Sequence, residues 1–160
     1  MAGNKKPRKK YVPREVIIDT MNWVKVGMQP ATSIPDIVTD IKLQLHIALL
    51  SLKEGTALRL NVVHLSHALI TAQSIADRTV GDDHRQTLDN GQLALLAIAR
   101  RYDKWGKVQA TSLELDDLIL AIDVHDAQID MCTVDEVTSA IKAAKVAIKC
   151  GHYNRELSRR

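Results

Sequence analysis

Near its start the chain carries Lys5, Lys6, Arg8, Lys9, Lys10 and Arg14 within ten positions, with Tyr11 among them and no acid. Clustered cations displace the counterions of a nucleic-acid backbone, and an aromatic ring can stack on a base. The chemistry on offer is sequence-independent contact with phosphate. A solubilising tail, or a strap folded back on an acidic part of the same chain, is the alternative. Such an acidic part exists. Between Val108 and Ile141 there are eight acids and no Lys or Arg. Asp116, Asp123 and Asp130 recur every seven residues, with Asp126 between the last two. On a helix all four fall within a sector of about 80°. Oxygen ligands so grouped suit Mg²⁺ or Mn²⁺, a cationic partner, or plain solvation. Hard-ion sites usually draw ligands from more than one element. The sequence reading therefore makes this edge partner-facing, with no metal.

Nitrogen and sulfur ligands are sparser. His64 and His67 are three apart, and His125 and Cys132 are seven apart, so each pair lies on one helix side. Zinc can use two such pairs, but the spacing matches no finger or ribbon. Two stretches, RLNVVH from Arg59 to His64 and RTVGDDH from Arg78 to His84, fit the loose Arg-to-His spacing of HEPN-type helical ribonucleases. In that motif the residue after Arg is usually polar, and here Leu60 follows Arg59. No glycine-rich phosphate loop, G-x-S-x-G, H-E-x-x-H or EF-hand loop occurs, so no cofactor is implied and no catalytic residue is assigned.

The elements that must position these groups can be read from start and stop signals. Ser33, Pro35 and Asp36 resemble the start of a helix, which runs to about Lys53 and closes at Gly55. Thr56 is the expected cap of the next helix, ending near Gly81. Asp82 or Asp83 starts another, ending at Gly106. TSLE at 111–114 and TVDE at 133–136 read as capping boxes for helices over 112–131 and to about Ile148. On the 112–131 helix Leu115, Leu118, Ile122 and Ile129 form one apolar side, and Leu120, Val124 and Met131 another. A helix apolar on two sides is expected to pack between neighbours. No stretch alternates with period two. The expectation is an all-α protein: a compact bundle of about five long helices with short connections and flexible basic tails.

Composition agrees. With 160 residues, 46% hydrophobic, no Phe and only five aromatics, one domain with an aliphatic core is expected. Seven Gly and four Pro are too few for a turn-rich β-sandwich. Net charge of +3 divides into +6 over 1–14, −6 over 15–148 and +3 over 149–160. The boundaries follow: a disordered basic arm over 1–14, a single bundle domain over 15–150, and a basic tail over 151–160. The segment EVIIDTMNWVKVGM, ended by Gly27 and Pro30, reads as a short piece laid on the body. The arm has no apolar stretch behind it, unlike a secretory signal. No apolar run approaches the ~20 residues that span a bilayer. Two cysteines make no disulfide framework, so a reduced cytoplasmic setting is expected.

Three strings carry a resemblance: KKPRKKY at the start, IKLQLHIALLSLKEGTA, and AIDVHDAQIDMCTVDEVTSAI. Together they resemble a group of small helical proteins encoded by phages and prophages of proteobacteria, in which a basic arm precedes the bundle. A segment like HDAQLDACT joins the last two helices there. His125, Asp126, Ala127, Gln128, Asp130, Cys132 and Thr133 carry the specific part here. The resemblance implies a non-enzymatic accessory protein in the bacterial host cytoplasm, with a host-takeover or anti-defence role. It would act by binding a host or phage protein, or a nucleic acid reached through Lys5, Lys6, Arg8, Lys9, Lys10, Tyr11 and Arg14. Homo-oligomers are compatible with this, and no membrane is involved. The competing expectation is a metal-dependent or HEPN-like ribonuclease.

Overall fold

A computed structural model describes residues 25–78 and 81–150. The basic arm, the C-terminal tail and the start of the 15–28 segment lie outside these residues. Five long helices account for most of the rest: α1 (Pro35–Glu54), α2 (Arg59–Ala76), α3 (Arg85–Trp105), α4 (Ser112–Met131) and α5 (Val134–Cys150). Short 3₁₀ turns over Ala31–Ser33 and Asp82–His84 precede α1 and α3. Among the described residues there is no strand, only one isolated antiparallel bridge between Pro30 and Thr133. None of the described helices is long and apolar enough to cross a membrane.

Local chemistry fixes several ends. At Thr111 the hydroxyl accepts the Glu114 N–H at 3.3 Å while the Glu114 carboxylate accepts the Thr111 N–H at 2.8 Å. Thr133 and Glu136 repeat the device at the start of α5, with 2.8 Å from the Thr133 N–H to Glu136. Reciprocal bonds of this kind satisfy donors that the first helical turn leaves free. The helix stops after Glu54 and Trp105 both fall at glycines with positive φ, +72° at Gly55 and +68° at Gly106. The Gly106 N–H reaches the Tyr102 carbonyl at 2.7 Å.

Two expected starts are corrected. Ser33 does not cap α1. Backbone bonds from Ala31 to Cys132 (2.9 Å) and from Val134 to Gln29 (2.9 Å) clamp this stretch to the α4–α5 junction. The clamp winds Ala31–Ser33 into a 3₁₀ turn, and Ile34 becomes the cap position. Thr56 does not cap α2 either, because its hydroxyl turns back to the Ser51 carbonyl. The helix begins three residues later, where the Asn61 side chain accepts the Leu58 N–H at 2.8 Å. α2 also ends earlier than expected, at Ala76. The chain then turns at Gly81, whose φ of +92° and closeness to the Gln128 side chain leave no room for a Cβ.

The core is aliphatic, as composition requires. Leu49 and Leu52 of α1, Leu65 and Leu69 of α2, Leu88 and Ile98 of α3, and Leu118 and Ile122 of α4 meet in one cluster. Ile75, Cys132 and Ala140 form a smaller one under α5. α2 packs on all four other helices, and α4 on α1, α2 and α3. α3 and α4 approach closely where Gly91 faces Ala121. The expectation that α4 packs on two apolar sides is corrected. Val124 touches the core, but Leu120 and Met131 are 56% and 71% exposed. Leu118, Ala121, Ile122 and Ile129 already occupy the buried side, and no helix among the described residues lies over Leu120 and Met131.

Candidate functional site

α4 positions the acidic residues as their spacing requires, and its neighbours treat them unequally. Asp126 and Asp130 turn toward α1. Lys42 Nζ donates to Asp130 at 2.7 Å, and His46 Nε2 lies 3.0 Å from Asp126. The other Asp126 oxygen is 3.1 Å from Nδ1 of His125, a histidine only 2% exposed. Burial by itself would raise the Asp126 pKa. The hydrogen bonds from His125 and His46, and the charges of His125 and Lys42, outweigh it and hold the carboxyl below its ordinary value. Asp126 is therefore a joint between α1 and α4 as much as a surface charge. Asp116 and Asp123 are exposed and have no ion pair among the described residues.

Beside Asp116 and Asp123 runs a feature that sequence patterning assigned to the interior. Leu113 is 78% exposed and stands in line with Leu120 and Met131. On a helix these three fall within about 20° of one another, next to the acidic sector. The outer side of α4 is thus an apolar ridge with an acidic border. Leu120 and Met131 were legible as a second apolar side, and only the packing of neighbours shows that no helix among the described residues covers them. Lys42 and His46, which contact Asp130 and Asp126, lie 88 and 80 residues away from them in sequence and gave no signal.

The zinc candidates separate. His64, His67 and His125 line one cleft of about 220 Å³ between α1, α2, α4 and α5. Cys132 is buried in the other cluster with Ile75 and Ala140. Burial, and then the nearby Glu136 charge, pushes its thiol pKa up, which makes it an unreactive packing residue. No three His, Cys, Asp or Glu side chains among the described residues converge as metal ligands.

The ribonuclease-like pairs separate as well. Arg59 lines a different cavity, of about 340 Å³, together with His67, Tyr102 and Asp103. His64 faces the cleft on the other side. Five residues along a helix means about 140° around it, and here Arg59 and His64 open into separate cavities. Arg78 lines a small pocket with Asp135 and Glu136, and His84 stands exposed in the 3₁₀ turn before α3. The residues Lys5, Lys6, Arg8, Lys9, Lys10, Tyr11 and Arg14 lie outside the described residues.

The bundle also sorts its charges by end. The end formed by the start of α2, the end of α3 and the loop to α4 carries Arg59, Arg100, Lys104 and Lys107, all exposed. The opposite end gathers Asp36, Asp77, Asp82, Asp83, Asp135 and Glu136. The −6 of the body is therefore not spread evenly. Comparison with protein-family models, curated proteins and solved structures finds no match for this chain.

Proposed function

We propose that this chain is a phage or prophage accessory protein of the bacterial cytoplasm that acts by binding, and that α4 docks a cationic amphipathic helix of a host or phage protein. One observation carries the reading: exposed Leu113, Leu120 and Met131 run in register beside exposed Asp116 and Asp123, which have no ion pair among the described residues. Exposed apolar residues in line, rimmed by polar ones, mark interaction surfaces. A helix laid along α4 would meet apolar anchors at steps of seven and eleven residues, the pattern of helix recognition. The acids then select for Lys or Arg flanking the partner's apolar stripe, and like charge rejects acidic partners. Burying the three side chains would contribute a few kcal/mol, because each is worth about 1.5–3 kcal/mol when fully covered. The basic arm adds sequence-independent phosphate contact, weak and steeply salt-dependent.

The test is a calorimetric titration of the full chain with a synthetic helix bearing Leu at heptad spacing and Lys elsewhere. Saturable one-to-one binding is expected, lost when the same residues are scrambled. Equal heats from ordered and scrambled peptides refute a helix-docking face. Incubation with single-stranded RNA and DNA in Mg²⁺ and Mn²⁺ separates this reading from a ribonuclease, since a binder leaves both strands at full length.

A further inference from the structure

We propose that the basic end of the bundle binds single-stranded nucleic acid, with Arg59 and Lys107 on phosphates and bases against Tyr102 and Trp105. The inference uses none of the α4 residues and stands independently of the docking face.

Two cavities meet at this end. One of about 340 Å³ lies between α2, α3 and the end of α5, and one of about 520 Å³ lies between the α1–α2 and α3–α4 connections. Both are lined by Arg59, Tyr102 and Val108, so these three form the saddle of one continuous groove. Each half is of the size that holds a small organic group. Lys107 lines the second half, and Asp103 is the one acid lining either. Arg59 and Lys107 are exposed and have no ion pair among the described residues. Arg59 shares its cavity with Asp103 but makes no ion pair among the described residues, so its guanidinium can offer a bidentate pair of bonds to a phosphate.

The aromatic residues decide the class of anion. The chain has five aromatics, and two of them, Tyr102 and Trp105, stand one helical turn apart here. Trp105 is 58% exposed, with Lys104 Nζ at 5.1 Å from its ring. An acidic peptide would use the cations and leave the rings idle. A single strand uses both, because every base has a face that stacks and every linkage has a charge. A duplex hides its base faces, so the rings would gain nothing from it. Arg100 and Lys149 are exposed at the same end and raise the local potential. The strand would run from one cavity to the other over Arg59 and Tyr102, which line both, with exposed Trp105 one turn beyond Tyr102 at the groove's edge.

The experiment is fluorescence anisotropy of end-labelled oligo-dT and oligo-U with the full chain, over a range of salt. The variants are Arg59→Gln with Lys107→Gln, Trp105→Ala, and an arm variant with Lys5, Lys6, Lys9 and Lys10 changed to Gln. All of these side chains are exposed or outside the described residues, and circular dichroism checks each fold. The double variant is expected to weaken binding at least about tenfold and to reduce the salt slope by about 1.4, two phosphates at 0.7 each. Trp105→Ala is expected to cost at least about fivefold, the low end for one stacked base. Both effects persist in the arm variant. Binding that is unchanged in the double variant and abolished in the arm variant overturns the proposal. So does displacement of the oligonucleotide by poly-glutamate at equal charge, or equal affinity for a duplex.

Discussion

Replacing Gly91 by Ala isolates the crossing on which the bundle's architecture depends. Propensity alone favours the change by about 1 kcal/mol, since Gly is poor in a helix interior. The structure argues the opposite sign. A Cβ built on Gly91 would lie 2.6 Å from the Ala121 Cβ and 3.1 Å from Leu69 Cδ1. Carbon atoms rest at about 3.5–4.0 Å. The Leu69 methyl can rotate, but a Cβ cannot, so α3 and α4 must separate by roughly 1 Å at their tightest point. Overpacking of this kind costs about 1–3 kcal/mol, and it acts at the most extensive helix pairing in the bundle. After the propensity gain the expected net loss is up to about 2 kcal/mol, read as a fall in thermal midpoint of up to roughly 8 °C. Ala121→Gly alone should also destabilise, by about 1 kcal/mol, through backbone freedom. Together the two changes exchange Cβ atoms across the interface and should return close to the parent. The cycle then shows a coupling of about 2 kcal/mol, measurable by urea unfolding with far-ultraviolet circular dichroism. A rise in stability for Gly91→Ala, additive with Ala121→Gly, refutes the close crossing.

Asp126→Asn should cost roughly 1–2 kcal/mol, the worth of a charge-assisted bond, because it loosens His125 and His46 together. Asp123→Asn, at an exposed carboxylate, should leave the urea midpoint within error. Burial alone would raise the carboxyls of Asp126 and Glu114. Their partners prevail, and the Glu136 carboxyl is lowered chiefly by the Thr133 N–H, so all three sit below their ordinary values of 3.8, 4.5 and 4.5. The unfolded chain therefore binds more protons than the folded one between the folded and ordinary values. Stability should be level above about pH 5 and fall as pH drops through the carboxylate range; a thermal midpoint that rises on acidification contradicts these pairings. Cys132, buried and with its thiol pKa raised, should alkylate at least about tenfold more slowly in the native protein than in denaturant. Peptide mapping that finds it labelled at equal rates contradicts its place in the second core cluster.

Helix signals were most legible where the chemistry is short-range. Thr111 with Glu114, and Thr133 with Glu136, need only three-residue spacing, and the α4 and α5 starts follow from it. Gly55 and Gly106 likewise end α1 and α3 through their own backbone freedom. Thr56 misleads because its hydroxyl has another local partner, the Ser51 carbonyl, and Ser33 misleads for the converse reason. The Ala31 N–H bond to the Cys132 carbonyl joins segments far apart in sequence and overrides a local cap. The apolar faces of α4 show the same division. Periodicity finds both sides, yet only helix packing decides that Leu118 is covered and Leu120 is not. The acidic spacing was legible, and the contacts that Lys42 and His46 make with Asp130 and Asp126 were not. The basic groove was hidden because Arg59, Tyr102 and Lys107 are scattered through a sequence whose body is acidic on average.

The docking face is tested most directly by Asp116→Asn, Asp123→Asn and Asp130→Asn in one chain. Asp130 contributes an exposed pair with Lys42, worth up to about 1 kcal/mol, while removing adjacent like charges returns a few tenths. The thermal midpoint should stay within about 3 °C of the parent, and affinity for the Leu/Lys helix should fall at least about tenfold. A loss of several kcal/mol of stability, or an unchanged affinity at unchanged stability, contradicts the assignment of this edge to a partner.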